Sequence, residues 1–163
     1  MATMTLPRHF ISGTHQHLSW DDMVSDMLRF VTAFPADDFH CIIGTDSQPR
    51  LQCRFVTAIV LHRIGHGGRF YYAYYPEEKT PVLSQRMYEE AARSLLVGEI
   101  LRERFAHTPL QQVPMEIHLD VGLHGASRQV ASTLRALVEQ SGYIARIKPD
   151  AFGASKVADR YTK

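Results

Sequence analysis

Cysteine is scarce in this chain: its 163 residues include two, Cys41 and Cys53. They form no CxxC pair, which excludes a zinc knuckle or a thioredoxin-type motif and reads as two buried thiols in a reducing cytoplasm. An excess of charge of one sign is also missing. Lys and Arg number 18 and Asp and Glu 17, a formal net charge of +1. A long electrostatic groove for nucleic acid usually needs a strongly basic domain, so any contact with phosphate is expected to be local. No stretch approaches the ~18 apolar residues of a membrane span, and the opening MATMTLPRHF has neither an apolar segment nor an export cleavage site. Internal repeats and low-complexity tracts are absent. What is present is ordinary globular material, 45% hydrophobic and 21% charged, enough to bury a core without disulfides or a structural metal. A cytoplasmic protein is expected.

Residues 1–18 read as irregular, with Pro7 and Gly13 among polar residues. Ser19-Trp20-Asp21-Asp22 then resembles a capping box, in which Ser19 bonds a free amide and the aspartates suit the positive end of the helix dipole. Met23, Val24, Met27, Leu28, Val31 and Phe34 follow at helical spacing, and Pro35 closes the helix. Residues 1–38 are thus expected to form an arm and an amphipathic helix ahead of a domain over 39–163. That domain opens with the strand-like Phe39-His40-Cys41-Ile42-Ile43-Gly44, followed by the turn composition of Thr45 to Pro49. Arg54 to Arg63 and Arg69 to Tyr75 are the second and third strands, linked by Gly65-His66-Gly67-Gly68 into an antiparallel meander. A loop over 76–81 leads to a helix from about Ser84 to Phe105. A fourth strand is expected over Met115 to Val121, a helix over 126–140, and a fifth strand over Tyr143 to Lys148. Pro149 ends that strand, and a short helix over 154–163 closes the chain. The order β-β-β-α-β-α-β-α predicts an α/β domain with a mixed five-stranded sheet flanked by helices.

Three acids fall where such a sheet presents chemistry. Asp46 lies just past the first strand and Asp120 near the end of the fourth, and strand ends at a shared edge are where α/β sheets build sites. A carboxylate in an apolar strand costs on the order of several kcal/mol unless it is paired or binds metal. On the long helix, Glu90 shares its side with Leu83, Val97 and Leu101. Glu89 points toward Arg86, Arg93 and Ile100 and suits an i,i+4 surface pair with Arg93. Glu90 is therefore the third candidate. Asp159, in the last helix, is the fourth, with Asp150 as its competitor. Each has a plainer alternative: a turn residue at Asp46 or Asp120, a solvated helix residue at Glu90, a local pair with Arg160 or Lys163 at Asp159.

The stretches Ile43-Gly44-Thr45-Asp46-Ser47-Gln48, Phe55-Val56-Thr57, His118-Leu119-Asp120-Val121-Gly122, Ile147-Lys148-Pro149 and the closing Ala158-Asp159-Arg160-Tyr161-Thr162-Lys163 resemble the YkuK-type family of ribonuclease H-like proteins. The resemblance spans nearly everything from residue 40 onward. Ala154 to Asp159 also resembles the Asn-x-x-Ala-Asp signature of the last helix in that superfamily, with Ser155 where Asn is common. The resemblance implies a ribonuclease H-like fold and a metal-ligand set of Asp46, Glu90, Asp120 and Asp159. Such a set holds two Mg²⁺ or Mn²⁺ ions about 3.5–4 Å apart for in-line hydrolysis of a phosphodiester. Asp46 would bridge, Glu90 and Asp120 would complete one metal shell, and Asp159 the other.

Substrate is then expected to be RNA, an RNA–DNA hybrid or structured nucleic acid. Ser47, Gln48, Lys148, Lys156 and Arg160 are candidates to position it, with Lys163 nearby. The alternative class is a ribonuclease H-like module that binds nucleic acid or protein without hydrolysing it. A three-to-five exonuclease fits less well, because Asp46-Ser47-Gln48 lacks the Asp-x-Glu pair of that type. His118-x-Asp120-x-x-x-His124 has donors for zinc but no clean tetrahedral spacing. The aromatic run Phe70 to Tyr75 suits alternating core and surface positions of a strand better than base stacking.

Overall fold

A computed structural model describes residues 4–151. The first helix, α1, spans Trp20–Ala33 and starts with a full capping box. The Asp22 amide donates to the Ser19 hydroxyl at 3.0 Å, and the Ser19 amide donates to the Asp22 carboxylate at 3.3 Å. Two free amides of the first turn are thereby satisfied.

The meander consists of β2 (Phe39–Gln48), β3 (Gln52–Arg63) and β4 (Gly67–Tyr74). Gly65 and Gly67 turn the last corner with φ of 81° and 85°, a region open to glycine without steric cost. Gly68 has a separate reason: a Cβ there would lie 2.4 Å from the Leu61 carbonyl oxygen. After the meander comes α2 (Leu83–Phe105), then β6 (Met115–His118), α3 (Arg128–Gln140) and β7 (Ile144–Arg146). β6 pairs with β2 in parallel and β7 with β6 in parallel, which makes the sheet mixed. All five expected strands are present.

Several boundaries move. The arm over 1–18 is not wholly irregular: β1 (Ile11–Ser12) adds to the edge of β4, and β5 (Glu78–Lys79) pairs with the start of β3. The sheet order is β1-β4-β3-β2-β6-β7. Thr45 to Gln48 is strand, not turn. β2 and β3 stay in register from Phe39↔Arg63 to Gln48↔Arg54, so the ladder overrides the turn-like composition and Asp46 lies inside the strand. The fourth strand is shorter than expected and ends at His118, while a 3-10 turn over Pro109–Gln112 occupies the loop before it. The helix expected over 154–163 lies outside the described residues.

Alternation along β2 sorts the two faces. Cys41 and Ile43 join the main core with Met23 and Met27 of α1, Ala91 and Leu101 of α2, and Leu134 of α3. Phe10 and Leu18 of the arm belong to the same core. Ile42 instead joins Val56, Ala58 and Tyr72 in a smaller cluster on the opposite face.

Candidate active site

The parallel pairing of β2 and β6 brings Asp46 and Asp120 to the same end of the sheet. The last paired residues are Gly44 and His118. Asp46 follows Gly44 by two residues within β2, and Asp120 follows His118 by two residues, just past the end of β6. Past His118 the chain keeps company with the extension of β7. The Leu119 amide donates to the Arg146 carbonyl, and the Lys148 amide donates to the Val121 carbonyl, both at 2.9 Å. Lys148 thereby reaches Asp120, with Nζ 2.7 Å from Oδ1. That hydrogen bond holds the Lys148 ammonium above its ordinary pKa, with the charges of Asp120, Asp46 and Glu90 acting in the same direction.

Glu90 comes from α2, and two rungs of hydrogen bonds position that helix on β2. Thr45 and Ser94 share a hydrogen bond at 2.8 Å, and the Ser47 hydroxyl donates to the Glu90 carboxylate. Two residues of strand rise roughly 6.7 Å and four residues of helix roughly 6 Å, so positions 45 and 47 match positions 94 and 90. Thr45 also bonds Thr57 at 2.7 Å, and Thr57 bonds the Tyr75 hydroxyl at 2.9 Å. This buried chain of hydroxyls ties β2, β3 and α2 together beneath the site.

Burial pushes the Glu90 carboxyl up to about 8. The Ser47 hydrogen bond and Arg86 oppose the rise, while the Asp46 and Asp120 charges add to it. A metal-free Glu90 therefore keeps its proton at neutral pH. Glu90 and Asp120 line one narrow cleft with Thr45, Met87 and His118.

Asp46 does not meet Glu90 head-on. Thr45 and Ser47 turn toward α2, and alternation carries Asp46 to the other face, where its register partner Val56 lies in the smaller cluster. The two carboxylates occupy the same end of β2 on opposite sides and interact through their charges. Gln48 ends the strand opposite Arg54. Asp150 is exposed in the turn that follows the cis Lys148–Pro149 bond. Asp159, Lys156, Arg160 and Lys163 lie outside the described residues. Among the described residues, no group of three or more His, Cys, Asp or Glu side chains is arranged to hold a metal ion. The zinc reading of His118, Asp120 and His124 accordingly gains nothing.

Sequence reading missed two features, the action of Arg86 and the burial of Arg93. Arg86 acts on Glu90 rather than standing aside with Glu89. His118, at the end of β6, is buried; its Nε2 is 3.1 Å from Glu116, and its Nδ1 has no hydrogen-bond partner among the described residues. Arg93 is only 4% exposed, with its guanidinium over the Phe55 and Tyr75 rings. Its pairing with Glu89 at 3.4 Å is real, but the arginine is buried and reaches Glu78 as well, so the pair is not two solvated side chains on an open helix face.

A meander, then helices alternating with parallel strands, with the meander's first strand central, is the ribonuclease H-like arrangement. The model of the family described as Ribonuclease H-like matches residues 22–163, and the chain belongs to that family. It is also 27% identical to the uncharacterized protein YkuK of Bacillus subtilis (strain 168), over 94% of this chain and 96% of that protein. No solved structure matches the chain. The fold generally binds nucleic acid, and the family generally depends on divalent metal. No helix among the described residues is long and apolar enough to cross a membrane.

Proposed function

We propose that this protein is a metal-dependent phosphodiesterase acting on RNA, an RNA–DNA hybrid or structured nucleic acid, with Asp46, Glu90 and Asp120 as its carboxylates. The observation that carries the reading is how two of the three are neutralised. Glu90 retains a proton and Asp120 takes the Lys148 ammonium, so each carries a monovalent positive group where a divalent ion would bind. Carboxylate oxygens are the donors that Mg²⁺ and Mn²⁺ prefer, and the donor set fits in kind. When bound, the ion would supply activation of water and charge stabilisation at phosphorus.

The chain's own residues have separate tasks. Ser47 orients the Glu90 carboxyl, and the Thr45–Ser94 bond fixes the turn of α2 that carries it. Lys148, released from Asp120, is placed to meet a substrate phosphate, and Gln48 borders the same strand end. Asp159 remains part of the proposed ligand set, with Lys156 and Arg160 beside it in sequence. Two buried, unpaired cysteines support a cytoplasmic setting.

A second reading, a ribonuclease H-like binding module without hydrolysis, is favoured by the opposed faces of Asp46 and Glu90. Cleavage assays on RNA, hybrid and single-stranded substrates with Mg²⁺ or Mn²⁺ decide between them. The hydrolytic reading expects Asp46→Asn and Asp120→Asn to fold and lose metal-dependent cleavage. Cleavage that persists in both variants would remove the site, and nucleic-acid binding without any cleavage by the parent protein would favour the module.

A further inference from the structure

The arm that precedes α1 forms one wall of a second cavity. Phe10 is fully buried and meets the Trp20 ring edge-on at 4.7 Å, while the Trp20 indole N–H donates to the Pro7 carbonyl at 3.0 Å. Ile11 pairs with Tyr72 at the edge of the sheet. Between this anchored arm and the end of β4 lies a cleft of about 580 Å³, a size that suits a small organic ligand. Tyr74, Ile11 and Pro7 give it an apolar wall, and Arg8, His9 and His17 add nitrogen donors. No carboxylate lines it among the described residues, in a chain whose acids and bases nearly balance. Beside it, the exposed Arg54 stacks its guanidinium on the Tyr74 ring at 4.1 Å.

The cleft is aligned with Asp46. Asp46, Val56 and Tyr74 are register partners across β2, β3 and β4, so they share one line and one face of the sheet. Two strand spacings separate Asp46 from Tyr74, roughly 10 Å, within reach of neighbouring nucleotides of one extended strand.

We propose that this cleft is a nucleotide subsite: a base packs against Tyr74, and its phosphate is held by Arg54 and Arg8. The inference rests on the phosphodiesterase reading for the direction of the strand, and it narrows the substrate to nucleic acid with a single-stranded segment beside the reacting phosphate. Aromatic platforms flanked by cations bind single strands in this way, tolerant of base identity because every base has a π-face. The same chemistry would accept a free nucleoside monophosphate, so the test separates the two sources.

The full chain is titrated in Ca²⁺ with a fluorescent single-stranded RNA of about eight nucleotides, followed by anisotropy. The expected result is binding that Tyr74→Leu weakens about tenfold or more and that Arg54→Gln weakens while lowering the salt dependence. Competition by uridine or adenosine monophosphate at millimolar concentration would assign the cleft to a free nucleotide, and binding of the oligomer alone would assign it to a strand segment. Arg54→Gln changes an exposed side chain and keeps the test valid where Tyr74→Leu fails to fold. Unchanged affinity in Arg54→Gln and in folded Tyr74→Leu overturns the inference, as does a parent chain that binds neither ligand. Cleavage measured in parallel with Asp46→Asn keeps failure of the subsite distinct from failure of the phosphodiesterase reading.

Discussion

Replacing Glu90 with Gln gives a direct test of its environment. In the unfolded chain this carboxyl titrates near 4.5, and in the folded, metal-free protein at about 8. Below the lower value both states hold the proton and Glu90 costs nothing. Between the two values the unfolded state ionises and the folded state does not, so stability falls as pH rises. Each pH unit is worth about 1.4 kcal/mol, and the full interval gives at most about 5 kcal/mol, lost once the pH has passed the folded value. Gln keeps the shape and an oxygen for Ser47 but does not titrate. Urea denaturation in chelator should therefore show the two proteins nearly equal at pH about 4.5, with Glu90→Gln more stable by several kcal/mol at pH about 8.5. Parallel stability curves across this range would refute the burial of Glu90 as described. Saturating Mn²⁺ should reverse the order at high pH, because a cation replaces the proton on the parent carboxyl alone.

Three further outcomes follow from the same geometry. Thr45→Val keeps volume but removes the bonds to Thr57 and Ser94; it should cost about 1–3 kcal/mol in urea denaturation and lower cleavage by loosening the turn that carries Glu90. Glu116 is buried, and although burial alone would raise its carboxyl, the His118 hydrogen bond and the Arg146, His118 and His40 charges hold it below its ordinary value. A lowered carboxylate contributes stability above the unfolded pKa and loses it as pH falls through the folded one, so Glu116→Gln should be less stable than the parent in urea denaturation at neutral pH, with the gap closing in acid. Lys148→Ala removes the ammonium that competes for Asp120; calorimetry should show Mn²⁺ bound at least as tightly, and the salt slope of nucleic-acid binding should fall by about one.

Much of the architecture was legible because periodicity and punctuation agree with it. Ser19 and Asp22 announced the capping box, the glycines at 65–68 marked the hairpin, and the run from Arg54 to Arg63, rich in β-branched residues, read as strand. The end of β2 did not, because Thr45-Asp46-Ser47-Gln48-Pro49 has the composition of a turn while twelve residues of β3 offer it a complete ladder. That error hid a consequence. Once β2 runs through Gln48, the two-residue period sends Asp46 to the face of Ile42 and Ser47 to the face of Ile43. The short β1 was invisible for a different reason: two residues carry no period, and its place depends on the buried Phe10 and on Trp20 thirteen residues from Pro7. Arg93 was misplaced because a spacing of four from Glu89 suggests an exposed pair, whereas Phe55 and Tyr75, distant in sequence, bury it. Glu90 was separable from Glu89 because a helical wheel already set it on the side of Val97 and Leu101, which the structure buries.

The most direct test of the central claim is calorimetric titration of the full chain with Mn²⁺, beside Asp46→Asn and Asp120→Asn. The account expects saturable binding by the parent protein, release of close to one proton from Glu90 near neutral pH, and loss of binding in both variants with folding retained. Binding of equal strength in all three proteins would place the ion elsewhere and contradict the account.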